Sequence, residues 1–149
     1  MPEAERYTLD TLAVIAYFAN EAGAEKVEAI LSLAERRKAD VFASFMTYFE
    51  VLYGVWKRLD AQAGKAAYLR LKALAVTRLE VSEELTLAAA RIKATHDLSV
   101  ADAWIGATAV LTRSQLVHKD PEFRALAGEL PLLELPLKPA RTRVKTRES

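Results

Sequence analysis

Short β-type runs recur along this chain between longer stretches whose apolar residues return at helical spacing, and that alternation restricts the fold more than any other feature. The runs are RYTL (6–9), ADVFA (39–43), VTRLEV (76–81), SQLVH (114–118) and LPLLEL (130–135). Each is short and rich in β-branched, aromatic or aliphatic residues, as half-buried or buried strands are. Between them, helices are expected over Thr11 to Ala19, Ala24 to Arg37, Ser44 to Leu59, Ala61 to Leu74, Ser82 to Thr95 and Ser99 to Thr112. Val27, Ile30, Leu31 and Ala34 keep the 3-4 spacing of a half-buried helix, as do Leu85, Ala88, Ala89 and Ile92. Strands alternating with helices predict an α/β fold with a mostly parallel central sheet flanked by helices.

A chain of 149 residues suits one domain with a genuine core. Hydrophobic residues at 52% and charged residues at 28% exclude general disorder. The absence of cysteine removes disulfides, cysteine-ligated zinc and thiol chemistry. The opening MPEAERYTLD has acids where a secretory signal needs bases and a long apolar stretch. The longest apolar run, AWIGATAVL, is about half of the ~20 residues that span a bilayer. A soluble, cytoplasmic protein is expected. Net charge is +1, unevenly spread: Lys138, Arg141, Arg143, Lys145 and Arg147 against Glu148 give the segment 137–149 a charge of +4, leaving −3 on residues 1–136. The domain is therefore expected at 1–136, followed by a basic, disordered tail. A body with more acids than bases does not resemble a simple RNA-gripping module, whose folded part is usually basic.

Four acids occupy informative places. Asp10 ends the first strand, where ligands of open α/β sheets bind, although Asp is also a preferred helix N-cap. Glu50 lies in SFMTYFEVLYGVWKRL, a helix apolar nearly all round, and shares one face with Thr47 and Gly54. A carboxylate set among Phe49, Val51, Leu52 and Tyr53 needs a metal ion, an arginine or a solvent-filled cleft. Asp102, three residues after Ser99, fits either a capping box or a crowded helix end facing a cleft. Asp120 follows QLVH and precedes Pro121, the position of a turn former and also of a second acid just past a strand. Two acids at strand ends and two on flanking helices can converge. Four carboxylates in one place repel unless protonated or bridged by a hard cation, and an all-oxygen cluster favours Mg²⁺ or Mn²⁺.

The order and wording of these segments resemble the PIN domains. YTLDTLAVIAYF is similar to their opening strand with its Asp; SFMTYFEVLYGV to their second motif, with Glu and a Gly four residues on; VADAWIGATAVL to the third; LVHKDPEF to the fourth. The resemblance runs from residue 7 to about 136 and implies a PIN-like fold. By similarity to VapC-type toxins within that family, Asp10, Glu50, Asp102 and Asp120 would form the catalytic site and bind Mg²⁺ or Mn²⁺. The implied activity is an endoribonuclease, the toxin of a toxin–antitoxin pair, held by a cognate antitoxin and commonly a homodimer. One departure is His118, standing where many relatives carry Thr or Ser. A hydroxyl there supports a metal shell, whereas imidazole is bulkier and titratable.

Other residues are read more plainly. His118 is expected at a strand end and His96 as a helix C-cap, with Asp97 a spare acid ranked below Asp102. Lys57, Arg58, Arg70, Lys72, Lys119 and Arg124 are candidate phosphate contacts. Tyr48, Phe49, Tyr53, Trp56 and Trp104 exceed what one small core obviously needs, which suggests a self-contact or an antitoxin surface. The alternative function is a non-catalytic PIN-like module binding RNA or protein. A haloacid-type phosphatase would want a second Asp two residues after Asp10, where this chain has Leu12.

Overall fold

The five apolar runs lie side by side in one parallel sheet. The structure, a computed structural model, describes residues 5–137, so the basic residues expected in a tail lie outside the described residues. The strands are β1 (Glu5–Leu9), β2 (Ala39–Ser44), β3 (Thr77–Leu79), β4 (Gln115–His118) and β5 (Leu132–Glu134). Their order is β3-β2-β1-β4-β5, with every neighbouring pair parallel. β1, first of the strands in the chain, is thus the central one. Leu9 pairs with Val117 and Thr8 with Phe42, so the carboxyl ends of β1, β2 and β4 come out on one edge.

Six helices connect the strands: α1 (Thr11–Ala19), α2 (Ala24–Glu35), α3 (Phe45–Arg58), α4 (Ala61–Lys72), α5 (Glu83–Thr95) and α6 (Val100–Thr112). Five begin with a side-chain cap in which an Asp or Ser oxygen accepts a backbone N–H: Asp10, Ser44, Asp60, Ser82 and Ser99. The structure thus follows the expected elements, with ends shifted by one or two residues. α2 stops short of Arg37 because that residue turns left-handed, at φ 61. In LPLLEL the strand starts only after Pro131, which lacks an N–H and gives its carbonyl to Leu116 instead.

Each face of the sheet carries its own core. On one, Val14, Val27, Ile30 and Leu31 of α1 and α2 join Tyr48, Val51 and Leu71 of α3 and α4. On the other, Leu85 and Ile92 of α5 and Ile105 of α6 pack with Leu116, Phe123 and Leu126. Burying a side chain of this size contributes about 1.5–3 kcal/mol. Both faces are covered, as an all-parallel sheet requires. Tyr48 belongs to this core at 2% exposure, and Trp104 stacks edge-on against Phe45 at 5.1 Å, so neither is spare aromatic surface.

Candidate metal centre

Asp10 directly follows β1 and caps α1. Its Oδ1 accepts the Ala13 N–H at 2.7 Å, and Oδ2 accepts the Lys119 N–H at 3.4 Å. Only 2% of the residue is exposed. Burial, opposed by those two backbone donors and reinforced by Asp102 and Asp120, pushes its carboxyl up to about 7. The cap and the cleft position coexist in one side chain.

Glu50 sits half-buried on α3, and its Oε1 accepts the Thr11 hydroxyl at 2.6 Å. Thr11 also approaches Thr47 at 3.3 Å, tying α1 to the polar face of α3. Asp102, in the first turn of α6, is held by its own N–H donating to the Ser99 hydroxyl at 3.1 Å. Burial and the neighbouring Asp120 and Glu50 push its carboxyl up to about 6. Asp120 caps a 3₁₀ helix, Pro121–Leu126, through the Glu122 N–H at 3.0 Å. α6 lies close on that 3₁₀ helix: a Cβ on Gly106 would fall 2.8 Å from Leu126 Cδ1.

The structure brings all four sequence-expected acids to one cavity of about 430 Å³, lined also by Thr11, Tyr53, Arg58 and Ser99. At the rim, Asp102 and Asp120 are joined by an exposed third acid, Glu122, which does not line the cavity; the ligand oxygens of the three lie within 4.8 Å of one another. Sequence reasoning misses Glu122. Its signal is the spacing Asp-Pro-Glu, in which an Asp side chain bonding the N–H two residues on folds the backbone back on itself. The donors are oxygen only and two carboxyls are pushed upward, a set that suits a hard divalent cation.

Other expectations resolve differently. His118 ends β4 as a fully buried ring, edge-on to Phe123; among the described residues neither ring nitrogen has a hydrogen-bond partner, and Glu134 stands 4.0 Å away. Burial lowers its pKa, opposed by the nearby Glu134 and Asp120. His96 is the C-cap of α5 and pairs with Glu129 at 2.7 Å. Asp97 is exposed and does not line the cavity. Lys119 is corrected as a phosphate contact: its Nζ is tied to the Ala22 carbonyl at 2.8 Å. Arg124 is likewise engaged, clasping both oxygens of Glu134.

The sequence model of the PIN domain matches residues 7–129. The chain belongs to the PIN-domain family. No curated protein sequence matches. Among solved structures, this PIN domain is similar to VapBC2 of Rickettsia felis bound to a promoter DNA fragment, at 16% identity and a TM-score of 0.71, over 88% of this chain and 99% of that one. It is similar to Mycobacterium tuberculosis VapC20, a Sarcin-Ricin loop cleaving toxin, at 19% identity and a TM-score of 0.64, over 87% and 99% of the two chains. It is also similar to FitAcB of Neisseria gonorrhoeae, at 23% identity and a TM-score of 0.64, over 86% and 96%. At these identities the likeness is one of fold.

Proposed function

We propose that this PIN domain is a Mg²⁺- or Mn²⁺-dependent endoribonuclease and the toxin of a VapBC-type pair. The observation carrying this reading is that Asp10, Glu50, Asp102 and Asp120, from four separate parts of the chain, line one cavity. Toxin–antitoxin complexes among the similar folds support the second half. Asp10, Glu50, Asp102 and Asp120 would hold the ion, with Glu122 close to Asp102 and Asp120. When bound, such an ion lowers the pKa of a water and offsets charge on a phosphodiester. The chain's own groups keep the carboxylates in place. Two backbone N–H groups fix Asp10, the Thr11 hydroxyl orients Glu50, and the turn at Pro121 aims Asp120. Water attacks phosphorus, the P–O bond to the leaving strand breaks, and the leaving oxygen takes up a proton. The nuclease domain is placed at 1–136, with 137–149 as a basic tail outside it. A cytoplasmic site of action, an antitoxin partner and a homodimer complete the reading.

The test is cleavage of RNA by pure protein. Activity with Mg²⁺ or Mn²⁺ that stops in excess EDTA, and that Asp10→Asn and Asp102→Asn each abolish, is the expected result. Undiminished cleavage in EDTA, or full activity of both variants, would sink it. Failure of the folded parent to cleave any RNA with either metal would leave a non-catalytic binding module.

A further inference from the structure

Among the residues lining the acidic cavity, Arg58 alone is cationic. Together with Ile15 and Val55 it also lines a second, more apolar cavity of about 300 Å³, so the first runs into the second past the Arg58 side chain. Phe18, Ala67 and Arg70 line the far part. The Arg70 guanidinium lies 4.3 Å from the Phe18 ring centroid and 5.6 Å from that of Tyr17, a stacked arrangement that limits its freedom. Arg78, Arg91 and Arg124 each pair with a glutamate, whereas Arg58 and Arg70 make no ion pair among the described residues. Two unpaired guanidinium groups therefore edge one apolar trough that opens from the carboxylates. Residues 1–136 are net acidic, and Arg58 and Arg70 are the cationic residues that line these two cavities and could attract a polyanion there.

We propose that the trough, between α1 on one side and α3 and α4 on the other, is the path of a single RNA strand leaving the cavity. Arg58 and Arg70 hold its phosphates, and the apolar floor takes an unpaired base. The inference rests on the nuclease reading of the cavity. Its logic is electrostatic and steric. A strand with one phosphate at the carboxylates must exit, and an exit over bare acids meets repulsion. Guanidinium groups match phosphate bidentately. A concave apolar floor receives an unstacked base, which a duplex keeps inside its helix.

The test is fluorescence anisotropy of the full chain with a short labelled single-stranded RNA. Ca²⁺ replaces the smaller ion so that the strand stays intact, and affinity is followed across a salt titration. Both arginines are exposed, so Arg58→Gln and Arg70→Gln are expected to melt like the parent. Each should bind roughly tenfold more weakly, the order expected for removing one charge-assisted hydrogen bond. The slope of log affinity against log salt should fall by about 0.7 for each phosphate no longer neutralised. Arg58→Lys should recover most of that slope. A matching duplex should bind more weakly than the single strand. Unchanged affinity and slope in both Gln variants would overturn the path and leave the trough to a protein partner. Parent protein that binds through these arginines but cleaves nothing with Mg²⁺ or Mn²⁺ would keep the path and remove the nuclease reading.

Discussion

Asp10 serves the helix and the cavity with one carboxyl group, and the two roles pull its proton in opposite directions. Capping by Ala13 and Lys119 favours the charged form, but burial outweighs both and raises the group to about 7 from an ordinary value of 3.8. Between those values the folded protein holds a proton that the unfolded chain has released. Stability of the metal-free protein therefore falls as pH rises through this window and levels off above about 7, a loss on the order of a few kcal/mol. Asp102, raised to about 6, adds to the same trend. The expected result is a metal-free melting temperature that drops from pH 5 to pH 8, and a gain from Mn²⁺ that is larger at pH 8. Asp10→Asn keeps a capping oxygen, so its metal-free form should melt no lower than the parent at pH 8 and gain little from Mn²⁺. A flat pH profile measured by calorimetry would contradict this account. Residues of this kind are half legible in the sequence. Cap and site are separate hypotheses on paper because each is inferred from local neighbours, and nothing in YTLD reveals that one carboxyl can serve both. Lys119 misleads for a related reason: its bond partner, Ala22, is 97 residues away.

Helices α3 and α4 form one wall of the trough, and their spacing depends on a residue without a side chain. A Cβ on Gly64 would lie 2.7 Å from the Leu52 carbonyl oxygen and 2.9 Å from Trp56 Cβ. Neither the backbone nor a Cβ can move without shifting a helix, so Gly64→Ala should destabilise by about 1–3 kcal/mol despite its better helix propensity. Denaturant unfolding measures this directly. Gly54 is a useful contrast, because a Cβ there meets nothing within 4 Å, and Gly54→Ala should leave stability unchanged or slightly raised. All five strands and all six helices are legible as elements, since short β-type runs and 3-4 periodicity are carried by residues within a few positions of each other. Their ends are less so, being set by Pro131 and the left-handed Arg37. The 3₁₀ helix that brings Glu122 beside Asp120 reads only as a turn, because six residues hold too few apolar positions to show a period.

At the scale of the molecule, packing leaves one aromatic face uncovered. Phe49, Tyr53 and Trp56 recur at helical spacing on α3 and remain 56%, 45% and 46% exposed, with Leu59 beyond them. Aromatic residues of this kind concentrate in interface cores, so the protein is expected to sediment as a dimer at roughly tens of micromolar. Phe49→Ser combined with Trp56→Ser should shift it to monomer without lowering its melting temperature, while a parent that sediments only as monomer would contradict the self-contact. The sheet order has a different kind of consequence, one of timing. Asp10 lies at the end of the central strand, but β4, which supplies its second neighbour and leads to Asp120, comes more than a hundred residues later. At roughly 5–20 residues per second, a ribosome takes about 5–20 s to travel from one acid to the other. Until it has done so, β1 has an open edge and the cavity lacks a wall. A fragment released before Gln115 carries three of the four acids but lacks Asp120 and the strand that closes the β1 edge beside Asp10, so on the nuclease reading a nascent or truncated chain would be harmless to the cell that makes it.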